Sequence, residues 1–82
     1  MSPIERFFRN ATFKIMNTIT VNGNNEELSC TTSVLDLLAR HQLKPELVAV
    51  EINEHVVPKK TYETRNLEPG DRVEIVHFVG GG

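Results

Sequence analysis

Residues 31–43 read TTSVLDLLARHQL, and the fold turns on how that stretch is read. Val34, Leu37 and Leu38, with Leu35 and Ala39 beside them, recur at the 3.6-residue spacing of an amphipathic helix. Ser33 and Asp36 stand in the spacing of a capping box, in which side chain and backbone satisfy each other across the first turn. Thr31 or Thr32 is the alternative N-cap. The helix is expected to end near His41–Gln42, ahead of Pro45, where Arg40 or His41 meets the negative end of the helix dipole.

On either side of it the period changes to two. In MNTITVNGNNEEL, residues 16–28, Ile19 and Val21 face one way and Thr18 and Thr20 the other. Asn22-Gly23 is the signature of a two-residue type I′ hairpin turn, which needs positive φ at both central positions. The return strand is expected to bring Leu28, and as a weaker candidate Cys30, inward. Downstream, Val48, Val50 and Ile52 share a face, Asn53-Glu54 forms a second turn, and Val56-Val57 begin a return that Pro58 stops. Residues 59–71 are irregular, anchored by Tyr62 and Leu67 and closed by a turn at Pro69-Gly70-Asp71. The last strand, RVEIVHF, points Val73 and Ile75 inward and Arg72, Glu74 and Val76 outward.

The order β-β-α-β-β-β predicts an α+β domain, a mixed sheet of four to five strands with one helix on one face. The simplest pairing for the strands that flank the helix is parallel, through a right-handed crossover. This is the ubiquitin-like β-grasp arrangement; other split α+β sheets share the connectivity.

The totals narrow the function. The chain has 82 residues, 39% hydrophobic and 24% charged, with a formal net charge of −2 and signs interspersed. No basic cluster is dense enough to follow a phosphate backbone, so nucleic acid is not an expected partner. The apolar runs are too short to span a bilayer. A single cysteine, Cys30, fits a reducing compartment, and a cytoplasmic location is expected. His41, His55 and His77 lie on a helix end, a turn and a strand, without the spacing of metal ligands. The pairs Glu26-Glu27 and Lys59-Lys60 read as solvated surface. No catalytic residue, bound cofactor or metal site is expected, and the chain is not expected to be an enzyme.

The ending HFVGGG, residues 77–82, is the exception. Glycine adds no packing surface, so a triglycine end is either a loose tail or a working part. A terminal glycine carboxylate becomes an electrophile once joined to AMP, and glycine leaves its acyl carbon uncrowded. Gly80 and Gly81 would make a slender thread of roughly 10 Å with Gly82, at ~3.3–3.6 Å per residue, able to enter a partner's active site. Such a tail needs the body of the domain to supply docking energy, and Val76, Phe78 and Val79 are the candidate apolar patch.

ITVNG, TTSVLDLL, VAVEINEHVVP, LEPGDRVEIV and the closing VGGG, in that order, resemble the ThiS family of sulfur carrier proteins of thiamin biosynthesis. The resemblance covers residues 16–82 and implies that Gly82 is adenylated by a ThiF-like adenylyltransferase using ATP. It further implies a thiocarboxylate on Gly82, with sulfur from a cysteine desulfurase or other persulfide donor, and delivery to a ThiG-like thiazole synthase. The carrier is then a cosubstrate and is expected to be a monomer when free. Gly81 and Gly82 match the family's diglycine and Gly80 its frequent extra glycine. A MoaD-like carrier for molybdopterin shares fold and chemistry, but the tail here lacks the proline-containing approach associated with it. A ubiquitin-like protein modifier and a β-grasp binding module remain as alternatives. Residues 1–15 stand outside the resemblance, as a leader, the result of an alternative start, or an appended segment.

Overall fold

The computed structural model describes residues 17–78, which form a five-stranded sheet and one α-helix. Phe13 and Ile15, which share the alternation phase of Ile19 and Val21 and could prolong the first strand, lie outside those residues, as do Val79 and Gly80–Gly82.

The first hairpin joins β1 (Thr18–Val21) to β2 (Asn24–Glu27), antiparallel, with Val21 opposite Asn24. Its loop is Asn22-Gly23 at φ 50° and 86°, the left-handed pair a type I′ turn requires. Ile19 and Val21 are buried and Thr18 and Thr20 half-buried, as the alternation demands. Leu28, just past β2, turns into the core. Cys30 does not: it is exposed, because β2 ends at Glu27 and the alternation has lapsed three residues later.

The helix α1 spans Val34–Arg40, with Ser33 as N-cap. Both capping-box bonds form: the Asp36 N–H donates to Ser33 Oγ at 3.0 Å, and the Ser33 N–H to Asp36 Oδ2 at 3.1 Å. The other end closes as a Schellman motif on a non-glycine residue. Gln42 adopts φ 60°, its N–H donates to the Ala39 carbonyl, and the Leu43 N–H reaches back to Leu38 at 2.8 Å. Val34, Leu37 and Leu38 are buried, whereas Ala39 is exposed and does not belong to the apolar stripe.

After a 3-10 turn at Pro45–Leu47, β3 (Val48–Ile52) pairs antiparallel with β4 (His55–Val56) through the Asn53-Glu54 turn. Val57 then folds inward. A second 3-10 turn, Lys59–Thr61, lies in the irregular connection, where Tyr62 and Leu67 are both buried. Gly70 takes φ 88° in the turn that delivers β5 (Arg72–His77).

The strand order is β2-β1-β5-β3-β4. The expected parallel pairing of the strands flanking α1 is therefore wrong: β2 and β3 sit apart, and the parallel pair is β1 with β5. The reason is composition. The residues of β2, NNEE, are polar on both faces and belong at a sheet edge, whereas the apolar β5 takes the centre, bonded to β1 on one side and β3 on the other. One face of the sheet packs on α1 through Ile19, Val21, Val48, Val50, Ile52 and Val73, and among the described residues no helix lies against the other. Among the described residues no helix is long and apolar enough to cross a membrane.

Candidate functional site

The open face of the sheet is built by the outward-pointing members of each strand. Across the β3–β5 ladder Val76 stands opposite Ala49, and Val56 on β4 stands opposite Glu51. Val76 is 56% exposed and Phe78 49%, large apolar side chains left in water with no packing role in the core. Two of the three predicted patch residues thus lie on this surface near the end of β5. The third, Val79, lies outside the described residues, and so do Gly80, Gly81 and Gly82.

Phe78 is held in place by its surroundings. Its N–H donates to the Leu47 carbonyl at 2.8 Å, and Lys59 Nζ sits 5.6 Å from the centre of its ring. The same ammonium donates to the Pro45 carbonyl at 3.1 Å. Lys59 is therefore a bracket between the Pro45–Leu47 turn and Phe78, more than the solvated surface residue expected of it. Leu47, 40% exposed, and Val56, 71% exposed, enlarge the apolar area and were missed from the sequence. Val56 was within reach: counting alternation outward from the Asn53-Glu54 turn puts it on the open face. Leu47 and Lys59 approach Phe78 only through the tertiary fold.

On this face Glu51 and Glu74 stand directly opposite each other, a like-charge cross-strand pair that a basic neighbour would relieve. Arg72 makes a loose contact with Glu54 at 3.5 Å, both well exposed.

The other candidates do not converge. His41 caps α1, His55 opens β4 and His77 closes β5. His41 Nε2 lies 2.6 Å from Glu26 Oε2, and Arg40 Nη1 lies 3.4 Å from Glu26 Oε1. Glu26 thereby ties β2 to the end of the helix, a role its reading as solvated surface missed. Among the described residues no three His, Cys, Asp or Glu side chains group to hold a metal. Cys30 lines a shallow cleft with Asn17, Leu28, Ser29, Asn66 and Leu67. Burial pushes the Tyr62 phenol above its ordinary pKa against the pull of the nearby Val50 backbone, and among the described residues no group meets the hydroxyl at full hydrogen-bonding geometry.

A model of the ThiS family matches residues 15–82. The chain belongs to the ThiS family. Its β-grasp sheet is similar to the crystal structure of the thiamine biosynthesis protein ThiS from Geobacter metallireducens, with a TM-score of 0.67 at 31% identity. That match covers 79% of this chain and 99% of the other. The sulfur carrier protein ThiS of Bacillus subtilis (strain 168) is 46% identical over 52 residues, 63% of this chain and 79% of that one. A thiazole synthase of Magnetococcus marinus is 41% identical over 64 residues, covering 78% of this chain. This ThiS-like segment accounts for only 20% of the synthase.

Proposed function

We propose that the chain is a sulfur carrier whose Gly82 carboxylate is converted to a thiocarboxylate and donates that sulfur to thiazole formation in thiamin biosynthesis. The observation that carries the reading is the 46% identity to the Bacillus subtilis sulfur carrier. The presence of a similar segment within a protein named thiazole synthase supports a ThiG-like enzyme as the acceptor.

The chemistry asks little of the domain itself. A ThiF-like adenylyltransferase joins the Gly82 carboxylate to the α-phosphorus of ATP and releases pyrophosphate. The terminal sulfur of a persulfide, supplied by a cysteine desulfurase or another donor, attacks the acyl carbon and expels AMP. A thiol then cleaves the acyl disulfide, leaving a thiocarboxylate on Gly82 and a disulfide on the donor side. Gly80 and Gly81 let the end enter a narrow site, and Val76, Phe78 and Val79 dock the body at its mouth. Leu47 and Lys59 belong to the same docking surface through Phe78.

The test is an intact mass after incubation with ATP, a ThiF-like enzyme and a persulfide donor. Replacement of one oxygen by sulfur, mapped to the C-terminal peptide, is the expected result; an unmodified terminus with a competent partner overturns the reading. Deleting Gly82, or capping it with one more residue, should abolish sulfur transfer and leave the unfolding midpoint unchanged. Sulfur transfer by the capped chain would refute the terminal chemistry.

A further inference from the structure

The central strand β5 is paired along almost its whole length on one side and only at its first two residues on the other. On the β3 side the register runs from Ile52↔Val73 to Val48↔His77. On the β1 side it covers only Thr20↔Arg72 and Val21↔Val73, because β1 then turns away into Asn22-Gly23. The hydrogen-bonding directions follow. The Phe78 N–H donates to Leu47 and the Arg72 carbonyl accepts from the Asn53 N–H, so even-numbered residues face β3. The Asp71 carbonyl accepts from Thr20 and the Val73 carbonyl from Asn22, so odd-numbered residues face β1.

Past the end of β1 a side chain takes over. Asn22 Oδ1 accepts from the Ile75 N–H at 2.7 Å, and Asn22 Nδ2 donates to the Ile75 carbonyl at 3.2 Å. One amide thus imitates a strand residue and closes the edge at Ile75. The next odd residue, His77, directs its N–H and carbonyl to the same side. Among the described residues nothing meets them, and His77 is exposed. An unpaired edge in the middle of a sheet, immediately before the tail, is a site for one added strand.

From this we infer that an extended segment of the adenylating partner pairs with the β5 edge at His77, beside Asn22, and so aligns the tail for activation. The inference rests on the proposed function: if Gly82 enters that enzyme's active site, then His77 lies at its rim. Only the five residues after His77 separate it from the reacting carbon, roughly 17 Å at ~3.3–3.6 Å per residue. Thr18, at the start of β1, lies at the opposite end of β5, where its carbonyl accepts from the Gly70 N–H.

Residue-resolved amide hydrogen exchange on the full chain, alone and with a purified ThiF-like adenylyltransferase and ATP, tests it, with pyrophosphate release read in parallel. The His77 amide should exchange freely in the chain alone and become at least about tenfold slower in the complex. The Val76 and Phe78 amides, which face β3, should be protected in both states. Pyrophosphate release with no protection of His77 overturns the added strand and spares the carrier reading. No pyrophosphate release removes the carrier reading and the strand with it. Protection of His77 in the chain alone also overturns the inference, since a second copy or the leading residues would then fill the edge. His77→Pro removes the outward N–H, along with the imidazole and some backbone freedom at Val76 and residue 77. It should raise the KM for the carrier about 2- to 10-fold with kcat unchanged, an effect that His77→Ala, which keeps the N–H, should not reproduce. Protection of the Phe78 amide in His77→Pro verifies that the β3 pairing survives, and an unchanged KM then counts against the strand.

Discussion

Two turns of the molecule, Asn22-Gly23 and Asn53-Glu54, have the same shape and the same first residue but opposite surroundings. Both are two-residue type I′ loops with positive φ throughout: 50° and 86° in the first, 53° and 70° in the second. In each, the asparagine side chain reaches across to β5, one at each edge. Asn22 bonds the Ile75 backbone at the exposed edge. Asn53 Oδ1 accepts from the Arg72 N–H at 2.9 Å, and its Nδ2 donates to Asp71 Oδ1 at 3.1 Å. Asp71 is only 8% exposed, and its other oxygen accepts from the Glu68 N–H at 2.8 Å. The first turn places glycine at its second left-handed position; the second holds Glu54 there. A side chain is tolerated at a strained φ where a buried hydrogen-bond network holds the turn from the other side.

The sharpest break of this comparison is Asn53→Ala. It puts alanine, with a Cβ but none of asparagine's side-chain hydrogen bonds, in the left-handed region and leaves a buried Asp71 oxygen without its donor, a loss of about 2–4 kcal/mol by urea unfolding. Asn53→Gly keeps the backbone permissive and should recover the conformational share; equal losses would show that strain contributes nothing. Asn22→Ala removes the same kind of contacts where water can replace them, and about 1–2 kcal/mol is expected. A loss as large as that of Asn53→Ala would erase the contrast between a turn tied to the buried Asp71 and one bonded only where water reaches. Glu54→Gly should stabilise by about 0.5 kcal/mol, relief of strain outweighing the added chain entropy and the loose Arg72 contact.

The smallest effect is expected at a buried polar group with no partner to lose. Tyr62→Phe should be close to neutral at pH 7, in contrast to the satisfied Asp71–Asn53 pair. Its signature is alkaline. Because burial raises the Tyr62 pKa, the unfolded chain releases its phenolic proton first, from about pH 10 upward. There the folded state binds more protons, so stability falls as pH rises. Tyr62→Phe should flatten that fall, seen in midpoints compared at pH 8 and above pH 10; parallel curves would refute it.

Much of this was legible in local pattern. The capping box at Ser33 and Asp36, the two asparagine turns and the inward sets Val48, Val50, Ile52 and Ile19, Val21 all depend on residues a few positions apart. Their geometry follows from short-range sterics and hydrogen bonding. What failed needed partners distant in sequence. The β2–β3 pairing is the simplest path for the chain, but strand order depends on which strand can sit at the centre. The roles of Glu26 and Lys59 went unread for the same cause, since their partners lie 14 residues or more away along the chain. Cys30 was a one-residue matter: where β2 stops decides which way it points.

By itself, then, the sequence determined the strands and the helix, the type I′ turn at Asn22-Gly23 and the place of the Asn53-Glu54 turn, the helix cap, most core positions and membership of the ThiS family, because each is written in local periodicity or in motif order. Only the tertiary structure decided that β5 lies between β1 and β3, that Lys59 and Leu47 hold Phe78, and that Asn22 closes the β5 edge at Ile75. Those outcomes depend on which surfaces compete for the interior of one sheet, and that competition is settled by the whole chain at once.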